Sequence, residues 1–178
     1  MSKAYPQRFN TPVLGAVYLS REPDTAAAEA LRRIARDTRL VGSADLAAAF
    51  DRVMPRSIFV VQVRLRAVLG LSTRVALDAW GLRADSLAAD DFAPCQEVAT
   101  LAAKNGAEGV RWASATGAGE SVALFWDQRH AGSHVDLVDE FPVERHWFED
   151  IVNGTPVSHF LPALHDYPRY ALDSASHP

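Results

Sequence analysis

Between Ser57 and Leu69 the chain alternates Phe59, Val61, Val63 and Leu65 with Gln62, Arg64 and Arg66. That period of two predicts a half-buried β-strand. An earlier apolar run, Val13 to Ser20, follows Pro12 and places Tyr18 among β-formers, which predicts a short buried strand. Helical spacing then takes over. Asp24 or Thr25 opens a helix in which Ala26, Ala30 and Ile34, or Ala27, Leu31 and Ala35, share a face, with Glu29 in the second turn. A second helix, roughly Ala44 to Val53, stops before the ring of Pro55. Ser72 or Thr73 caps a short helix closed by Gly81, and another runs from about Pro94 to Asn105 with Gly106 as terminator.

Two short apolar segments, Gly109 to Trp112 and Val122 to Trp126, flank a loop of small residues from Ser114 to Ser121 and predict strands, with Val135 to Phe141 as a further one. Beyond Pro142 the chain is rich in Pro, His and aromatics without periodicity, and residues 142–178 receive no assignment. Strands with few helices between them imply an α+β fold of largely antiparallel sheets. No repeat, low-complexity block or linker divides the sequence, so a single domain over residues 1–178 is expected.

Composition supports a soluble globular chain: 178 residues, 48% hydrophobic and 22% charged, enough to bury roughly 70% of the unfolded surface. A formal charge of -4 argues against a nucleic-acid binder, whose footprint is a concentrated basic face. Arg32, Arg33, Arg36 and Arg39 form the one basic run, and they read as a solvated helix end. The lone Cys95 can make no internal disulfide and completes no zinc knuckle. The first ten residues lack a secretory apolar core, and no run approaches the length that spans a bilayer, so a cytoplasmic protein is expected.

Familiar catalytic signatures are absent. The sequence holds no Gly-x-Ser-x-Gly, no phosphate loop and no His-Glu-x-x-His. His130 and His134 are four apart, but Gly132 lies between them and no third ligand accompanies them, so no metal site is expected. Gly117-Ala-Gly119 precedes a strand instead of opening a helix and reads as a turn. The adjacent acids Asp90-Asp91, Asp139-Glu140 and Glu149-Asp150 point in different directions and do not make catalytic pairs. Arg8, Glu29 and Ser114, taken singly, read as a surface arginine, a helix glutamate and a turn serine.

Taken together and in order, these three residues resemble the RES-domain family, named for an arginine, a glutamate and a serine. Arg8-Phe-Asn10 looks like the family's Arg-aromatic-Asn segment, Tyr18-Leu19 like its Tyr-Leu strand, and Thr25-Ala26 through Glu29 like its Thr-Ala-x-x-Glu helix start. Cys95-Gln96-Glu97, the stretch from Gly106 to Ser114, and Leu124-Phe125-Trp126 resemble the later motifs. The similarity covers about residues 8–126. Where the family often carries Gly-Gly before the arginine, this chain has Pro6-Gln7.

The resemblance implies an ADP-ribosyltransferase-like fold, with small antiparallel sheets and flanking helices around an NAD cleft. It also implies a toxin of a toxin-antitoxin pair, which degrades NAD at the nicotinamide-ribose bond by hydrolysis or phosphorolysis. A helix-turn-helix antitoxin of the Xre type is the implied partner. By this resemblance Glu29, Arg8 and Ser114 carry the catalysis, while Arg8, Phe9, Tyr18 and Ser114 contact the substrate. Transfer of ADP-ribose to a protein through the same pocket, or a catalytically silent interaction module, are the alternative readings.

Overall fold

The computed structural model describes residues 7–26, 28–30, 57–114, 119–142, 155–156 and 159. Its first strand, β1 (Ala16–Ser20), follows a turn at residues 7–10 and a loop through which Leu14 enters the core. Helical residues 23–26 and 28–30 form α1. The helix begins one residue before Asp24, at Pro23, whose fixed φ suits a first helical position. The helix expected over Ala44 to Val53 lies outside the described residues.

The long strand expected from Ser57 to Leu69 is two strands in two different sheets. β2 (Ser57–Arg64) and β3 (Val68–Leu71) are separated at residues 65–67. The cause lies elsewhere in the chain: the amides of Arg66 and Ala67 donate to the carboxylate of Glu108, at 2.5 and 3.1 Å, and not to a strand partner. Leu65, on the alternation, remains buried.

Helix α2 (Arg74–Ala79) is capped as expected, Thr73 Oγ1 accepting from the Ala76 amide at 3.2 Å. Helix α3 (Ala93–Lys104) carries Pro94 in its first turn. Gly81 and Gly106, just beyond the two helices, have φ of +68° and +86°, the left-handed region that a C-terminal glycine enters without strain. Two short 3-10 turns, Ala84–Leu87 and Trp126–Gln128, have no counterpart in the sequence patterns.

Strands β4 (Gly109–Ala113), β5 (Glu120–Phe125) and β6 (His134–Pro142) complete the described elements. A four-stranded sheet has the order β1-β5-β4-β3, and β2 pairs with β6 in a separate two-stranded ribbon. All pairings are antiparallel except β3 with β4. The α+β expectation therefore holds, with one parallel exception.

One face of the larger sheet makes the core. Tyr18, Ala123 and Val110 form a row across β1, β5 and β4, followed by a row of Ser20, Ser121 and Trp112. Against this face α3 packs Cys95, Val98, Ala99 and Ala102, spaced as one helical stripe. Phe9, Leu71, Leu77 and Phe125 fill the same cluster. The small side chains of the stripe let the helix axis approach closely, which brings the first turn of α3 next to the turn at residues 7–10.

Candidate active site

Two groups of side chains stand on the core face of the larger sheet. In the first, Ser114 follows β4 and its hydroxyl donates to Glu29 Oε1 of α1 at 2.6 Å. Ser114 is 6% exposed, whereas Glu29 is half-buried. Among the described residues the second oxygen of Glu29 has no hydrogen-bond partner.

Backbone geometry fixes Ser114. Its amide donates to the Gly119 carbonyl at 2.7 Å, closing the loop between β4 and β5. Gly119 has φ of +146°, and a side chain there would collide with the Glu22 carboxylate and come within 2.8 Å of Thr25 Oγ1. The Glu22 carboxylate accepts from the amide of Glu120 at 3.3 Å and from the Thr25 hydroxyl at 3.5 Å. Glu22 therefore ties the start of α1 to this loop, so that Glu29, two turns along the helix, faces Ser114.

The second group surrounds Arg8. Tyr18 is half-buried, with its hydroxyl accepting from the Phe9 amide at 2.7 Å and donating to Asn10 Oδ1 at 3.1 Å. Burial pushes the Tyr18 phenol up to about 12, although the Phe9 amide and the Arg8 charge pull the other way. Arg8 Nη1 donates to the Ser86 carbonyl at 3.5 Å, and its guanidinium lies 5.5 Å from the centre of the Phe92 ring. Phe9 is fully buried, its ring 4.6 Å from Trp112, while its amide donates to the Tyr18 hydroxyl.

Trp112 joins the two groups. It contacts Phe9, lies edge-on to Tyr18 at 6.1 Å, and precedes Ser114 by two residues, which places both side chains on one face. From the Tyr18 row to the Ser114 position is four residues along β4, about 13 Å at the ordinary rise of a strand. The surface between them carries Ser20 and Ser121, whose hydroxyls are 3.5 Å apart. These two serines escaped the sequence reading, because nothing in a lone Ser on a strand marks it before the register is known.

Two open hollows occur nearby, about 340 Å³ beside Thr11, Gln96 and Lys104, and about 280 Å³ beside Arg83, Ser86 and Pro94. Neither is lined by Glu29 or Ser114. The site is defined by its polar geometry, which is more specific than a shallow groove. Among the described residues no group of three or more His, Cys, Asp or Glu side chains is placed to hold a metal ion.

The family model for the RES domain matches residues 1–146 of this sequence. The chain belongs to the RES domain family. No curated protein matches it. A solved structure of similar fold is a chain of the M. tuberculosis MbcT-MbcA toxin-antitoxin complex. It is 21% identical, with a TM-score of 0.67, over 84% of this chain and 78% of that one.

In this RES domain the glutamate–serine pair stands just beyond β4, and the arginine lies in the turn tied to Tyr18 of β1. A further buried group, Glu108, was missed in the sequence. It is 0% exposed and accepts from His130 N at 2.6 Å as well as from Arg66 and Ala67. Burial alone pushes its carboxyl up, but the neighbouring Ser133 hydroxyl and the amides of His130, Arg66 and Ala67 hold it below the usual carboxylate value. The only signal was an acid between two glycines at the entry to a strand. His130 itself is an exposed loop residue, and His134 begins β6.

Proposed function

We propose that this RES domain is the toxin of a toxin-antitoxin pair and that it degrades NAD by cleaving the nicotinamide-ribose bond. The Ser114 to Glu29 hydrogen bond is the observation that carries the reading. It orients one carboxylate oxygen and leaves the other available to a ribose hydroxyl and to positive charge developing at C1′. On this reading the dinucleotide extends from the Glu29–Ser114 pair to Arg8, in the manner of an ADP-ribosyltransferase-like fold.

A single carboxylate is sufficient for this reaction. The bond from C1′ to the nicotinamide nitrogen breaks with both electrons going to nitrogen, and because that nitrogen is cationic in NAD the ring leaves neutral. No general acid is required, unlike the paired carboxylates of most glycosidases. An oxygen of water, or of phosphate, then bonds to C1′, and the water proton passes to solvent or to Glu29. Arg8 binds the pyrophosphate through its planar pair of N–H donors. The separation of the two groups calls for a ligand longer than one ring system, which a dinucleotide is.

The similarity to a chain of a toxin-antitoxin complex supports a protein partner. We take that partner to be a helix-turn-helix antitoxin that covers the NAD entrance. The test is incubation of purified protein with labelled NAD and identification of products by mass. Free nicotinamide with ADP-ribose or its 1″-phosphate is expected, and Glu29→Gln should abolish it while leaving the urea midpoint within experimental error. Label on a protein instead would establish ADP-ribosyl transfer. Undiminished turnover by Glu29→Gln would refute the role of this carboxylate.

A further inference from the structure

Arg8 lies in a turn whose backbone is held from several sides. Gln7 and Asn10 are bridged, the Asn10 amide donating to the Gln7 carbonyl at 3.3 Å and the Gln7 amide to Asn10 Oδ1 at 2.9 Å. From β1 the Tyr18 hydroxyl holds Phe9 and Asn10. From α3 the side-chain amide of Gln96 donates to the Gln7 carbonyl at 2.9 Å, across 89 positions of sequence.

The same end of α3 reaches the other side of Arg8. Phe92, at the N-cap, supplies the ring beneath its guanidinium. Cys95 places its thiol 3.6 Å from the Ser86 carbonyl that also accepts from Arg8. Phe92, Cys95 and Gln96 are spaced i, i+3, i+4, so one helical face meets the arginine's ring contact, its carbonyl acceptor and its own backbone. Gln96 bonds directly to the backbone of the turn.

We propose that Gln96 is a positioning residue, which sets the direction of Arg8 by anchoring the peptide before it. The inference rests on Arg8 as the phosphate-binding residue of the proposed reaction. A guanidinium serves two phosphate oxygens only when its plane is correctly turned. Rotation of the Gln7-Arg8 peptide would swing that plane, and the Gln96 bond opposes the rotation. Gln96 itself touches no reacting atom and is expected to affect binding rather than the chemical step.

The experiment compares wild type with Gln96→Met, which deletes the donor at similar length, and Gln96→Lys, which restores one. Urea midpoints first establish that all three fold. In Gln96→Met the KM for NAD should rise about tenfold with kcat within about twofold, and Gln96→Lys should recover most of the loss. In an Arg8→Ala background Gln96→Met should add nothing, since there is no guanidinium left to aim. A rise in KM of equal size in that background, or an unchanged KM in Gln96→Met, would overturn the proposal.

A second measurement is independent of catalysis. Phenylglyoxal modification of Arg8, followed by peptide mass, should be several-fold faster in Gln96→Met than in wild type or Gln96→Lys. If wild type leaves NAD intact yet Arg8 reactivity follows this order, the NAD reading fails and the positioning role stands. If all three proteins react at one rate, the positioning role fails whatever the substrate.

Discussion

Replacing Glu108 by Gln tests the most heavily connected buried charge in the described structure. The carboxylate takes the amides of Arg66 and Ala67 on Oε2 and that of His130 on Oε1. Gln keeps one oxygen, which can serve the pair at 66 and 67, but then turns an NH₂ toward the His130 amide. That leaves a buried donor without an acceptor, at a cost of about 1–3 kcal/mol, and it weakens two charge-assisted bonds to neutral ones, about 1 kcal/mol each. The sum is about 3–5 kcal/mol. For a chain of this size it corresponds to a fall in Tm of about 10 °C. Urea denaturation followed by tryptophan fluorescence reads it directly.

The pH dependence supplies an internal check. The folded-state pKa of Glu108 lies below its unfolded value, so its contribution is present above about pH 4.3 and is lost as pH falls through the lower folded value. The stability difference between wild type and Glu108→Gln should therefore be constant near neutrality and shrink in acid. A difference below about 1 kcal/mol at pH 7, or one that grows as pH falls, would refute this account of the break between β2 and β3.

Three other outcomes follow from the site. Tyr18→Phe leaves the Phe9 amide unpaired and should cost about 1–3 kcal/mol. Because the folded phenol is raised to about 12, the wild-type advantage should persist to about pH 10 and decline above it, as denaturation of both proteins across that range will show. Gly119→Ala forces a side chain into φ of +146° and against Glu22, so about 1–3 kcal/mol of stability should be lost together with NAD turnover, because the loop that aligns Ser114 shifts. Thr73→Ala removes the cap of α2 and should lower stability by about 1 kcal/mol while leaving the NAD KM unchanged, which separates global from local effects.

Local chemistry made part of this protein legible from its sequence. Thr73, Pro94, Gly81 and Gly106 announce helix ends because each satisfies a backbone requirement within a few residues of itself. Alternation marked residues 57–64 as strand but not their buried side throughout, since Phe59 is 58% exposed beyond a register shift between Val60 and Val61, and the ordered Arg8, Glu29 and Ser114 carried the family. None of these signals depends on a distant partner.

What the sequence could not decide are the features made by groups far apart in the chain. Alternation continues through Leu65, yet the strand breaks there because a carboxylate 42 positions away captures the Arg66 amide. Ser20 and Ser121 become neighbours only through the β1–β5 register, and the Ser114 hydroxyl finds Glu29 across 85 positions. Gln96 reaches Gln7 only because α3 lies flat against the sheet on its small-residue stripe. Periodicity reports which face of an element is buried. Which atoms then meet across that face is settled by register and helix placement, and in this RES domain those two quantities bring Ser114 to Glu29 and Gln96 to the turn that carries Arg8.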